Sequence, residues 1–109
     1  LDPGVLRDIA AELDDPGFID EMVQWFGQAA TDRIAEGRDA ARRGDAETAR
    51  RSAHSLKGAA ASVGATRLHM LARDLEQLGQ AGDVAGSEPR WALVEEEVSV
   101  VTRLLADLS

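Results

Sequence analysis

The sequence predicts an all-α fold, an antiparallel up-and-down four-helix bundle preceded by a short N-terminal helix. Apolar residues recur at three- and four-residue steps, as on one face of a helix. Gly, Pro and Asp separate the periodic segments. Alanine supplies much of the apolar content, which suits closely packed helices. Short connections make consecutive helices antiparallel, and no segment has the alternating pattern of a strand.

Length and composition restrict the possible functions. A chain of 109 residues with 44% hydrophobic residues is enough for one core, so residues 1–109 are interpreted as a single domain. The formal net charge of −8 disfavours binding to nucleic acid or to an anionic membrane surface. Without cysteine there is no disulfide or thiolate metal site, and no signal peptide or apolar run of about 20 residues is evident. A cytoplasmic location is expected.

The first two helices are predicted from Asp-Pro pairs, which suit an N-cap followed by the first helical residue. Asp2 precedes a short helix from about Pro3 to Leu13, and Asp15 precedes a long one from about Phe18 to Arg43. The start of the long helix is hydrophobic around more than one face. We expect it to pack against the short helix and the core, with part of it available for partner docking. These residues are Phe18, Ile19, Met22, Val23, Trp25 and Phe26.

The remaining three helices each carry one apolar stripe, which predicts a face towards a common core. Asp45 and Ser87 are N-cap candidates, and Gly44, Gly64 and either Gly79 or Gly82 are expected to end helices in the left-handed conformation. The stripes are Ala46, Ala49, Ala53, Leu56, Ala60 and Val63; then Leu68, Leu71, Leu75 and Leu78; then Val94, Val98, Val101, Leu105 and Leu108.

His54 is the candidate functional residue because it lies outside the apolar stripe of its helix. At about 100° per residue, it is roughly 125° from the centre of that stripe and is expected to face solvent. A neutral imidazole has a free ring nitrogen that can attack phosphorus. Cations on adjacent turns can bind phosphoryl oxygens, Lys57 on the following turn and two arginines on the preceding one. The neighbours of His54 on this surface are Arg50, Arg51, Lys57, Gly58 and Ala61.

Two further residues have predicted roles beside His54. Glycine inside a helix costs about 1 kcal/mol relative to alanine. Gly58 faces outward, so we expect its missing side chain to let a partner's active site approach His54. The turn at Gly64 folds the next helix back and brings Glu76 or Gln77 level with His54. Since Leu75 belongs to the core, Glu76 is expected to accept a hydrogen bond from one ring nitrogen and leave the other as nucleophile.

The run Ala53-His54-Ser55-Leu56-Lys57-Gly58-Ala59-Ala60 resembles the histidine phosphotransfer (HPt) domain family. The resemblance continues through Val63-Gly64-Ala65 into the helix that follows. It is strongest over the hairpin from about Asp45 to Leu78, and the flanking helices match in length and pattern. In the helix after Val63-Gly64-Ala65, the matching residues are Leu68, Leu71, Ala72, Leu75 and Glu76.

The resemblance implies a phosphorelay module in which His54 accepts a phosphoryl group from, or gives it to, an aspartate of a response-regulator receiver domain. Its partners would be such a receiver or a hybrid histidine kinase. The module would have no nucleotide site or cofactor of its own, and magnesium would belong to the receiver. The receiver would dock over the histidine and the nearby ends of the first helices. A monomer is expected, and the partner, the direction of transfer and any longer parent chain stay open.

Other interpretations compete with phosphotransfer. The main alternative is a non-catalytic helical adaptor or dimerisation bundle with an incidental histidine, which does not account for Gly58. The dimerisation helices of a sensor kinase usually have an acidic residue directly after the histidine, whereas Ser55 follows His54 here. A hydrolase would need a nucleophile, base and orienting group at usable spacing. Arg50 and Arg51 could equally be a solvated face paired with Asp45 or Glu47, and His69, in the first turn of the next helix, is interpreted as a surface or cap-adjacent residue.

Overall fold

The computed structural model describes residues 8, 11, 12 and 17–108. Within these residues the chain forms four α-helices and no strand. The helices are α1 (Phe18–Arg42), α2 (Ala46–Ser62), α3 (Thr66–Gln80) and α4 (Glu88–Ala106). Each helix packs against two others, in the ring α1-α2-α3-α4, which leaves α2 and α4 diagonally opposed. The predicted all-α four-helix bundle is confirmed.

The predicted N-terminal helix, Pro3 to Leu13, falls outside the described residues apart from three positions that are helical, Asp8, Ala11 and Glu12. The cap candidates Asp2 and Asp15 also lie outside them. Among the described helices, none is long and apolar enough to span a membrane.

The helix ends explain where the chain turns. The backbone N–H of Thr48 donates to Asp45 Oδ1 at 3.1 Å, so Asp45 caps α2 as predicted. Three glycines at connections have a positive φ, which glycine adopts without a Cβ clash: Gly44, Gly64 and Gly82. Ser87 occupies the N-cap position of α4 as predicted, but its side chain does not cap the helix, because its hydroxyl donates to the Val84 carbonyl at 2.7 Å instead of accepting from an N–H.

The core lies along the bundle axis and uses the predicted stripes. Phe26, Leu56, Leu68 and Leu105 are fully buried, while Leu71, Leu78 and Leu108 pack against the core from its edge. Trp91 on α4 is the largest fully buried side chain and was not predicted. A Cβ added to Gly37 of α1 would lie 2.1 Å from the Trp91 ring, so the indole occupies the space that this glycine leaves.

The hydrophobic start of α1 divides between core and surface. Ile19 and Phe26 are buried, and Met22 and Val23 pack against the core. Trp25 is 52% exposed. Of the residues considered for partner docking, Trp25 therefore remains the one large apolar side chain that is open to solvent among those described in this segment.

Candidate functional site

His54 lies on the outer surface of α2. Its neighbours Ala53 and Leu56 are fully buried in the core, and this fixes the orientation of the helix. The His54 side chain is 64% exposed. The prediction that this ring faces solvent is therefore met by the structure, and a partner molecule can reach it without any rearrangement of the bundle.

Glu76 of α3 contacts the ring of His54. Its Oε2 is hydrogen-bonded to His54 Nδ1, and its Oε1 accepts from Lys57 Nζ at 2.7 Å. Glu76 itself is only 7% exposed. The register of the hairpin predicted Glu76 or Gln77 at this level, and the structure has Glu76 there. One buried carboxylate thus connects two consecutive turns of α2.

The ionisation of Glu76 follows from these contacts. The hydrogen bond from Lys57 holds the pKa of the Glu76 carboxyl below its ordinary value, burial opposes this, and the hydrogen bond with His54 adds to the lowering. An ionised carboxylate can only accept, so Nδ1 must carry the proton of the shared hydrogen bond. The lone pair of a neutral His54 ring is then on Nε2, the nitrogen not held by Glu76.

A close approach of α2 and α3 brings Glu76 within reach. A Cβ added to Gly79 would lie 2.7 Å from Arg50 Cβ and 2.9 Å from Arg50 Cα, so the two helices nearly touch there. Gly79 is one turn after Glu76, and Arg50 is one turn before His54. Sequence reasoning considered Gly79 only as a helix end, whereas it lies inside α3 and Gly82 has the positive φ. No local signal in the sequence separated this glycine from a helix terminator.

The three predicted cations all have partners within the chain. Lys57 is bound to Glu76, with 26% of its side chain exposed. Arg50 makes two hydrogen bonds to Glu47, from Nε at 3.0 Å and from its terminal nitrogen at 2.6 Å. Arg51 approaches Glu47 at 4.0 Å and the Thr48 hydroxyl at 3.4 Å. The pairing with Glu47 that the sequence left open is therefore present, and Lys57 is the cation held beside the imidazole.

Gly58 and Ala61 continue the surface from His54 towards the end of α2. Both are exposed, and a Cβ built on Gly58 would have no other atom within 4 Å. Packing inside the bundle therefore does not require a glycine here. Because Gly58 and Ala61 have small side chains, the surface beside the His54 ring is smooth. We call this surface the α2 strip (His54, Gly58 and Ala61).

His69 lies in the first turn of α3 and is half-buried. Its Nδ1 is 3.4 Å from the carbonyl oxygen of Lys57, and it does not share the carboxylate of Glu76. Across the described part of the chain, no group of three or more His, Cys, Asp or Glu side chains is arranged to hold a metal ion.

Comparison with known proteins identifies one family. The family model described as Hpt domain matches residues 21–107, which include all four helices except the first turn of α1. No curated protein and no solved structure matches the chain.

Proposed function

The chain belongs to the Hpt domain family, and on that premise we propose that it is a phosphorelay intermediate that carries a phosphoryl group on Nε2 of His54. The family consists of phosphocarrier modules. The observation that supports His54 as the acceptor is its exposed ring, hydrogen-bonded through Nδ1 to the buried carboxylate of Glu76. An incidental surface histidine has no need of such a partner.

The proposed donor is the phosphoaspartate of a receiver domain. The Nε2 lone pair attacks phosphorus, the N–P bond forms, the bond from phosphorus to the aspartyl oxygen breaks, and the electron pair leaves with the aspartate carboxylate. Nδ1 keeps its proton throughout. Positive charge develops on the imidazole as Nε2 forms its new bond, and the Glu76 carboxylate stabilises that charge. In the reverse direction an aspartate oxygen attacks phosphorus and Nε2 leaves.

The cations are assigned different roles. Lys57 is one turn from His54, and its hydrogen bond to Glu76 holds its side chain in place. Its ammonium can therefore bind the phosphoryl oxygens without first being ordered. Arg50 and Arg51 would contribute only after releasing Glu47 and Thr48. The magnesium ion of the reaction is assigned to the receiver, as the family resemblance implies.

The α2 strip is the proposed docking surface for the receiver. Transfer requires the acidic pocket of a receiver to bring an aspartate to within bonding distance of Nε2, and a large side chain at Gly58 would obstruct it. Trp25 on α1 is exposed and is a candidate for a peripheral apolar contact with the same partner. Aromatic residues are enriched in protein interfaces, which favours this assignment.

The test is phosphoryl transfer from a panel of phosphorylated receiver domains to wild type, His54→Gln and His69→Gln. We expect label on wild type and His69→Gln and none on His54→Gln, whose fold should be unchanged because the ring is exposed. The label should be labile in acid and stable in alkali. Transfer to folded His54→Gln would refute the assignment, and no transfer to folded wild type from any receiver would favour the adaptor interpretation.

A further inference from the structure

The outer face of α4 carries apolar side chains that the bundle does not cover. Leu93, Val100 and Leu104 are 43%, 45% and 44% exposed. Their spacing of seven and four residues places them on one side of the helix, about 120° from the centre of its buried face. We call them the α4 strip (Leu93, Val100 and Leu104). Its length, about 11 residues or three helical turns, is that of a short helix–helix contact.

The spacing of the α4 strip is that of a heptad seam, in which steps of four and three residues alternate. Glu97 occupies the remaining position of the series. Its side chain is only 12% exposed and is 3.6 Å from Arg67 of α3, so its charge is paired within the chain. Met70, 48% exposed, follows Arg67 by one turn and extends the apolar surface on the α3 side.

Opposite charges flank the α4 strip along the edge nearer α1. Glu96 and Arg103 are both exposed and lie one heptad apart, at the same angular position on the helix. Among the described residues, the ion pairs between α4 and the other helices use Glu88, Arg90, Glu95 and Glu97, and leave Glu96 and Arg103 out. This edge therefore has a negative and a positive group with no assigned partner in the bundle.

We infer that the α4 strip is a contact surface between two copies of this chain, packed with their α4 helices antiparallel. The twofold axis of such a pair is perpendicular to the plane of the two helices, so each edge of the strip faces the same edge of the other copy. Glu96 of each copy then lies opposite Arg103 of the other, and Leu93 lies near Leu104. The seam is self-complementary in both its apolar residues and its charges.

The position of the strip is compatible with phosphotransfer but does not depend on it. α4 and α2 are diagonally opposed in the bundle. A pair formed through α4 therefore leaves both His54 rings on its outer sides, where each can meet its own partner. This pair differs from the monomer that the sequence analysis expects.

The first test is sedimentation equilibrium of the unphosphorylated chain from about 10 µM to about 1 mM, at about 0.15 M salt, where net charge is largely screened. We expect the average mass to rise from the 11.6 kDa monomer towards twice that value. Val100→Glu should remain monomeric over the same range. Ala61→Glu makes the same charge change on the exposed surface of α2 and should associate as wild type does. Circular dichroism checks that each variant is folded.

The second test uses exposed residues only, so that folding is not at risk. Glu96→Arg alone and Arg103→Glu alone each place like charges opposite one another, and each should weaken self-association at least about tenfold. The double variant should recover it, and a mixture of the two single variants should form a mixed pair. A wild-type chain that stays monomeric at the highest concentration overturns the inference. So does association that Val100→Glu leaves unchanged, or a double variant that fails to recover.

Discussion

At the scale of single residues, the carboxylate of Glu76 does what an amide could not. Its two oxygens accept separately from His54 Nδ1 and Lys57 Nζ. A glutamine in the same orientation presents its donating NH₂ group to one of the two, so either Lys57 loses its acceptor or the His54 ring must hold its proton on Nε2 instead of Nδ1. The carboxylate also carries a negative charge, which attracts the Lys57 ammonium and stabilises positive charge on the His54 ring. These differences make Glu76 a positioning residue whose effect can be separated from that of His54.

Glu76→Gln should change the response of stability to acid. Because the folded pKa of Glu76 is lowered, its contribution is complete above the ordinary carboxyl pKa of about 4.3 and is lost as the pH falls through the lowered value. We expect the variant to be less stable at pH 7 by about 1 kcal/mol. The difference from wild type should shrink below about pH 4, as measured by urea unfolding at a series of pH values.

The difference between the two proteins is the useful quantity, since other carboxyls also have lowered pKa values. The hydrogen bond from Arg38 lowers that of Glu88, for example. A difference that persists unchanged to pH 3 would contradict the assigned coupling. Transfer to Glu76→Gln should continue at a reduced rate, because the nucleophile remains and only its tautomer is less firmly held.

Gly58→Glu tests access to the ring. The variant should fold as wild type does, because an added Cβ has no other atom within 4 Å. The rate of transfer from a receiver should fall at least about tenfold, the effect of roughly 1.4 kcal/mol at the docking step, through bulk and like charge. Gly27→Glu is the matched control on α1, where an added Cβ is equally free. Equal transfer rates for the two variants would remove the access role of Gly58.

The sequence predicted those features of the site that follow from the helical period. The exposure of His54 follows from the apolar stripe, and the level of Glu76 follows from the length of the hairpin. The partners of the arginines could not be predicted, because Arg50 can reach either Glu47 or the phosphoryl surface and the choice depends on side-chain geometry. The sharing of one carboxylate by Lys57 and His54 was missed for the same reason.

At the scale of helices, two glycines set distances between elements. Gly79 allows α3 to approach the backbone of α2 at Arg50, and Gly37 accommodates the ring of Trp91 between α1 and α4. Sequence reasoning treated glycine mainly as a helix terminator, which is correct for Gly44, Gly64 and Gly82. A buried glycine inside a helix gives no local signal that separates it from a terminator. Its role depends on what the neighbouring helix presents.

Gly79→Ala should destabilise the protein although alanine is the better helix former. The gain in helix propensity is about 1 kcal/mol, whereas forcing a Cβ into a close helix contact costs about 1–3 kcal/mol. Gly27→Ala, with open space around its Cβ, should instead stabilise. Urea unfolding of the two variants measures both effects. If Gly79→Ala were as stable as Gly27→Ala, the close approach of α2 and α3 would not be required.

Gly79→Ala should also alter the contact between Glu76 and His54, although Gly79 lies one turn after Glu76. Separating α2 from α3 at Arg50 moves Glu76 away from His54, so transfer to Gly79→Ala should be slower than to Gly27→Ala. The chemical shifts of the His54 ring should report the lost hydrogen bond. A wild-type ring environment in Gly79→Ala would mean that α3 repacks without displacing Glu76.

At the scale of the whole molecule, the ring of helices separates two surfaces. The α2 strip and the α4 strip lie on diagonal helices and share no residue. The helix periods predicted the four described helices and most of the core residues on them, because burial of apolar stripes leaves few other arrangements. They did not predict Trp91 as the largest core residue or the uncovered face of α4. Those features depend on how much of each helix its neighbours cover.

The brevity of the α2–α3 connection has a kinetic consequence. Ser62 and Thr66 are separated by three residues, so His54 and Glu76 meet within one hairpin and need no distant part of the chain. Contacts between residues close in sequence lower the contact order, and helical bundles of low contact order fold in about microseconds to milliseconds. The pair should therefore form early during refolding, while burial of Trp91 must wait for α4 to return across the bundle to α1.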